Sequence, residues 1–176
     1  TIDLNGQADG FNTSATSVIF NWTAYDNLDK GLTCNLTIDR KVNVSNFESI
    51  NGTATNVSVA GFNEGTYKWN VTCIDNATNT NISAARTFTV DLTAPVVRLE
   101  TANDTWQRDG NITLSFNATD NTSKSCTLYG NFNTTWIANV TKTGIISGVL
   151  DSFVINLSNG TYQWNVQCND TAGNSA

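Results

Sequence analysis

Residues 65–73 read GTYKWNVTC and residues 160–168 read GTYQWNVQC, the same stretch twice at an offset of 95 positions. A chain of 176 residues carrying one stretch twice at that distance has room for two modules, each near the low end of independent folding size. The stretch itself alternates. Tyr67, Trp69, Val71 and Cys73 fall on one face, Lys68, Asn70 and Thr72 on the other. Tyr162, Trp164, Val166 and Cys168 repeat the apolar face, with Gln163, Asn165 and Gln167 opposite. A period of two over seven residues predicts a half-buried β-strand entered from a Gly-Thr turn.

The surroundings of the repeat alternate in the same way. VIFNWTAYDN (18–27) places Val18, Phe20, Trp22 and Ala24 on one face, and ITLSFNATDN (112–121) places Ile112, Leu114, Phe116 and Ala118 there. Further strands are expected at 32–39, 57–59, 86–90, 126–129 and 153–157, with no convincing amphipathic helix. Short alternating strands at this spacing predict an all-β protein built as antiparallel β-sandwiches.

The series FNWTAYDN…C…GTYKWNVTCIDNATN…FTVDLTAP resembles the immunoglobulin-like repeats of archaeal cell-surface proteins. The run Asp170-Thr171-Ala172-Gly173-Asn174 is similar to the D-x-A-G-N turn of bacterial Ig-like surface modules. The resemblance covers nearly the whole chain and implies two tandem Ig-like antiparallel β-sandwiches in an extracellular setting. The expected division is a sandwich over 1–92, a linker over 93–95 ending on the one proline, and a second sandwich over 96–176. RTFTV (86–90) closes the first repeat, whereas the second stops at NDTAGNSA, so the second sandwich is expected to lack its last strand within this chain. Thr1 matches Val96, which suggests a segment cut from a longer array. The absent strand then either lies beyond the segment or is supplied in trans by a neighbouring subunit.

Four cysteines occupy matching positions, Cys34 and Cys73 in the first repeat, Cys126 and Cys168 in the second. In an Ig-like sheet the strands that carry each pair are neighbours, which implies bridges within one sheet, Cys34–Cys73 and Cys126–Cys168. Persistent disulfides imply an oxidising compartment. A zinc site is the weaker alternative, because the chain has no histidine and no C-x-x-C. Free buried thiols are the third.

The motif N-x-S/T, the acceptor for N-glycosylation, occurs 18 times. The asparagines are Asn12, Asn21, Asn35, Asn43, Asn51, Asn56, Asn70, Asn76 and Asn81 in the first half, and Asn103, Asn111, Asn117, Asn121, Asn133, Asn139, Asn156, Asn159 and Asn169 in the second. With 26 asparagines and 40 Ser plus Thr among 176 residues, 26 × 40/176 gives about 6 by chance. The excess predicts a glycan coat over a surface with few charges, 14% Asp, Glu, Lys and Arg. The alternative is that Asn and Thr are used here only as turn and strand residues.

A net charge of −6 argues against nucleic acid as a partner. No apolar run approaches the roughly 20 residues of a membrane helix. Without histidine, and with only Glu48, Glu64 and Glu100 at unmatched positions, no catalytic constellation is visible, and the chain is not expected to be an enzyme. No cofactor is expected beyond covalent glycans. Calcium at Asp26, Asp75, Asp120 and Asp170, with Asp91 nearby, competes with a reading of the same residues as Asx-type turns. Trp106 and Trp136 have no counterpart in the first repeat. They form a contact surface or a sugar platform, or else pack into the second core or over an edge. The expected function is a structural segment of an extracellular filament, sheath or surface stalk that self-associates into a homopolymer. The alternative is an adhesin or ligand-binding ectodomain.

Overall fold

The computed structural model describes residues 1–106, 110–122 and 124–176. The chain divides into two compact units, Thr1–Leu92 and Thr93–Ala176. All fifteen regular elements among the described residues are β-strands.

The first unit has two sheets. One contains β1 (Ile2–Leu4), β3 (Ser17–Ala24) and β6 (Ala54–Ala60), in the order β1-β3-β6. The other runs β2-β9-β7-β4-β5, from β2 (Phe11–Thr13), β9 (Arg86–Val90), β7 (Gly65–Ile74), β4 (Gly31–Ile38) and β5 (Lys41–Ile50). The short β8 (Thr80–Ile82) also pairs with β7. All pairs are antiparallel except β2 with β9. The alternation read from the sequence sets the packing. Val18, Phe20, Trp22 and Ala24 of one sheet meet Cys34, Leu36, Ile38, Trp69, Val71, Cys73 and Phe88 of the other in one buried cluster.

The second unit repeats the plan with β10 (Val96–Leu99), β11 (Asn111–Thr119) and β14 (Leu150–Asn156) in one sheet. The other sheet holds β13 (Ile137–Ile145), β12 (Lys124–Gly130) and β15 (Trp164–Asp170), in the order β13-β12-β15. Its core is Leu114, Phe116, Ala118, Cys126, Leu128, Ile145, Phe153, Val166 and Cys168. Beyond β15 the chain turns and comes back. The Cys168 amide donates to the Ala176 carbonyl at 2.9 Å and the Ala176 amide donates to Cys168 at 3.0 Å. No counterpart of β9 follows among the described residues.

The repeated tripeptide Gly-Thr-Tyr has a structural explanation. The Tyr67 hydroxyl donates to the Asn63 carbonyl at 2.9 Å and the Tyr162 hydroxyl donates to the Ser158 carbonyl at 3.0 Å. Each tyrosine thus ties down the loop four residues upstream, as a tyrosine corner does. A Cβ at Gly160 would stand 3.0 Å from the Tyr162 ring, so the glycine makes room for the ring folding over it. Strand β15 begins at Trp164, two residues later than the alternation predicts: in β7 residues 65–69 pair with β9, and no described strand pairs with 160–163.

Strands β5 and β13 are absent from the sequence reading. Both lie at the edge of their sheets and are exposed along most of their length, so neither carries a buried face to mark it. Trp22 shows a dependence on β5 that its own segment does not reveal. Its indole N–H donates to the Ser49 hydroxyl at 3.0 Å, and the Thr55 hydroxyl donates to the same oxygen at 3.1 Å, all buried. Phe116 takes the place of Trp22 in the second unit and needs no acceptor. Ser49→Ala is therefore expected to strand two buried donors and destabilise the first unit by about 1–3 kcal/mol. Thr55→Val in the same background should recover part of the loss, as read by urea unfolding.

Candidate functional site

Each cysteine pair occupies directly opposed positions on adjacent antiparallel strands, Cys34 opposite Cys73 and Cys126 opposite Cys168. Both pairs are bridged, with S–S distances of 2.04 and 1.95 Å. The bridges lie within one sheet of each sandwich, and no described cysteine is free.

None of the 18 sequon asparagines is buried. Asn12, Asn21, Asn35, Asn51, Asn70 and Asn117 are half-buried and the other twelve are exposed. Ser123, the third residue of the Asn121 sequon, lies outside the described residues. A glycosidic bond replaces one of the two hydrogens on Nδ2, so the hydrogen bonds of that nitrogen sort the sites. Asn76 donates from Nδ2 once, to Asp29 at 2.9 Å, Asn117 once, to the Gly148 carbonyl at 2.9 Å, and Asn156 once, to Asn111 at 2.9 Å. Asn21 donates once to Asn56. Asn51 differs. Its Nδ2 donates to the carbonyls of both Asp26 and Asp29, each at 2.6 Å, and its Oδ1 accepts from the Asp26 amide at 3.2 Å. Two pairs of sequons stand directly opposite each other across strands, Asn21 with Asn56 and Asn111 with Asn156.

The aspartates at the ends of the strands close their own loops. Asp26 Oδ1 accepts from the amides of Leu28 and Asp29 at 2.9 Å each. Asp75 accepts from the Asn79 amide and side chain, both at 2.7 Å. Asp170 accepts from the amides of Ala172 and Asn174 at 2.8 and 2.9 Å and from the Asn174 side chain at 2.8 Å. Asp120 accepts from the Thr122 amide and hydroxyl at 2.7 and 2.8 Å. This is Asx-turn chemistry.

Among the described residues, three carboxylates are held below their ordinary pKa. Asp9 accepts from the Thr87 amide at 2.7 Å and its hydroxyl at 2.8 Å. The amides of Asp29 and Leu28 do the same for Asp26. For Asp151 the main cause is Lys142, whose Nζ lies 2.8 Å away, 5.5 Å from the Phe153 ring centroid. A carboxylate with a lowered folded-state pKa contributes stability above its unfolded value and loses it as pH falls. The melting temperature is therefore expected to be flat above about pH 5 and to fall from about pH 4 downward, as checked by thermal melts from about pH 7 to about pH 2.

Trp106 is 93% exposed and Trp136 is 49% exposed, so neither joins the second core. Residues 107–109 beside Trp106 lie outside the described set. Trp136 lines a shallow concavity of about 300 Å³ with Tyr129, Asn165 and Gln167. On the matching sheet of the first unit, a concavity of about 610 Å³ is lined by Asp39, Arg40, Lys68 and the sequon residue Asn70.

No protein-family model matches the sequence, and no curated protein matches it. Solved structures do. The fibronectin(III)-like modules of Clostridium thermocellum CbhA superpose with a TM-score of 0.60 at 10% identity, covering all of this chain and 89% of that one. The fold is a fibronectin type III/Ig-like β-sandwich. The FN1–FN3 domains of chicken CNTN1 match with a TM-score of 0.45 at 11% identity, over 97% of this chain and 62% of that one. At these identities the likeness is one of fold. Modules of this class with disulfides are typical of extracellular proteins, and no helix among the described residues is long and apolar enough to cross a membrane.

Proposed function

We propose that the chain is a structural segment of a heavily N-glycosylated extracellular filament, sheath or surface stalk, self-associating into a polymer. One observation carries the reading: 18 sequons, about three times the chance number, with none of their asparagines buried. The carbohydrate would solvate a surface poor in charge, while the bridges within each sheet hold the modules against unfolding.

The test combines glycopeptide mass spectrometry with electron microscopy of the native material. Sugar is expected at many of the 18 asparagines and not at Asn51, where both Nδ2 hydrogens are already used. The opposed pairs Asn21/Asn56 and Asn111/Asn156 are expected to carry one glycan each far more often than two. Continuous filaments or sheets are expected in the micrographs. Unmodified peptides throughout would overturn the glycoprotein reading, and dispersed single particles would overturn the polymer.

A second reading, an adhesin or ligand-binding ectodomain, is favoured by one specific feature. The exposed Trp106 and Trp136 occur only in the second unit.

A further inference from the structure

The outer face of the β13-β12-β15 sheet differs from its counterpart in the first unit in a consistent direction. Strands β4 and β7 bring Thr37 opposite Asn70 and Asn35 opposite Thr72. Asn35 and Asn70 are both acceptors, with Thr37 and Thr72 as the third residues of their sequons. In the second unit the same register brings Tyr129 opposite Asn165 and Thr127 opposite Gln167. Both of these sequons are thereby gone, and the acceptor that the face keeps on β15 is Asn169, at the far end opposite Ser125. Thr127 replaces Asn35, Tyr129 replaces Thr37, and Gln167 replaces Thr72, so that Asn165 remains as an asparagine that is not an acceptor. The charge has gone too. Gln163 stands where the first unit has Lys68, and the outward residues Ser125, Thr127, Tyr129, Thr141, Asn165 and Gln167 are all neutral.

At the matched positions an aromatic surface takes the place of the acceptors and the charge. Trp136, half exposed, joins Tyr129, Asn165 and Gln167 around the concavity of about 300 Å³. Val166 and Ala176, the last residue of the 176, complete the lining. Flat rings beside primary amides, with no charged side chain among them, suit a neutral polyhydroxylated ligand. The C–H face of a pyranose stacks on an aromatic ring, while Asn and Gln amides both donate to and accept from its hydroxyls. A phosphate or an acidic ligand finds no cation here, and an apolar peptide would leave the amides unpaired. We infer that this face of the second unit is a carbohydrate-binding site for neutral hexose units, with Trp136 and Tyr129 as the stacking platform and Asn165 and Gln167 as the hydrogen-bonding pair. The inference stands on the second unit alone and does not require that this chain be glycosylated.

The sugar has two sources, a free polysaccharide or the N-glycan of a second copy of this chain. The test is a titration of the isotopically labelled 176-residue chain, disulfides intact and prepared without glycans, followed by amide and indole NMR. Probes are maltohexaose, cellohexaose and mannohexaose for the first source, and glycans released from the native protein for the second. Saturable shifts are expected at the Trp136 indole and at the amides of Tyr129, Asn165 and Gln167. A response to a hexose oligomer identifies a free polysaccharide as sufficient, and a response to released glycans alone assigns the ligand to a second copy. Trp136→Ala, at a half-exposed position, should leave the fold unchanged and weaken binding roughly tenfold or more. Gln167→Thr restores the acceptor at Asn165. Expressed in a glycosylating host, it should lose probe binding at an unchanged melting temperature once Asn165 carries sugar. Absence of a saturable shift with every probe at tens of millimolar overturns the proposal, as do shifts that persist unaltered in Trp136→Ala.

Discussion

Replacing both cysteines of one bridge with alanine, Cys34→Ala with Cys73→Ala or Cys126→Ala with Cys168→Ala, is expected to destabilise the corresponding unit by about 4 kcal/mol. The bridges close loops of 39 and 42 residues, and the chain-entropy account assigns roughly that amount to a loop of this length. A unit of about 90 residues has a total stability on the order of 5–15 kcal/mol. The melting temperature of that unit should accordingly fall by roughly 15–30 °C. Urea or thermal unfolding of the oxidised chain against each double variant reads the effect. A loss below about 1 kcal/mol would show that the bridges restrain little of the unfolded chain. Single cysteine substitutions are a poorer test, since they leave a reactive thiol in a buried site.

Phe20→Ala is expected to cost about 3–5 kcal/mol in the first unit. Phe20 is fully buried, with ring centroids of Trp69, Phe88 and Phe62 at 4.9, 5.6 and 6.4 Å in edge-on arrangements. Each such pair adds about 0.5–1.5 kcal/mol beyond the area it covers. The neighbouring Ile19 points outward and is 55% exposed, so Ile19→Ala should stay within about 0.5 kcal/mol. Equal losses for the two variants would contradict the inward and outward assignment of β3. The equivalent change in the second unit, Leu114→Ala, should cost about 2–5 kcal/mol, since an aliphatic residue there replaces the aromatic hub.

The inward face of β3, β4, β7, β11, β12 and β15 is legible in the chain because each of these strands is buried on one side, and burial writes a period of two into the residues. Edge strands β5 and β13 leave no such mark. Their positions follow from hydrogen bonding to β4 and β12, with two register shifts in each pairing. The tyrosine of the repeated stretch alternates with the core residues, yet part of its role is the hydrogen bond it sends back over the preceding loop.

For the candidate sites the division is similar. The sequons are local patterns of three residues and are fully visible in the chain. Which amide nitrogens are free is not, since Asn51 is occupied by the carbonyls of Asp26 and Asp29 across a span of more than 20 residues. Trp136 stands out in the sequence because the first repeat has no equivalent. Asn165 and Gln167 read there only as the outward face of a strand and Tyr129 does not stand out, although the loss of two sequons at matched positions is a readable signal.

By itself the sequence determined the strand content, the tandem repeat, the cysteine positions and the density of glycan acceptors, because each is written in spacing along one strand or in a motif of a few residues. Only the tertiary structure decided which strands became neighbours, which asparagines kept a free amide, and where a neutral aromatic face opened on the second sandwich. Those outcomes depend on residues that are distant in the chain and about 5 Å apart across a sheet, and one-dimensional periodicity does not contain that distance.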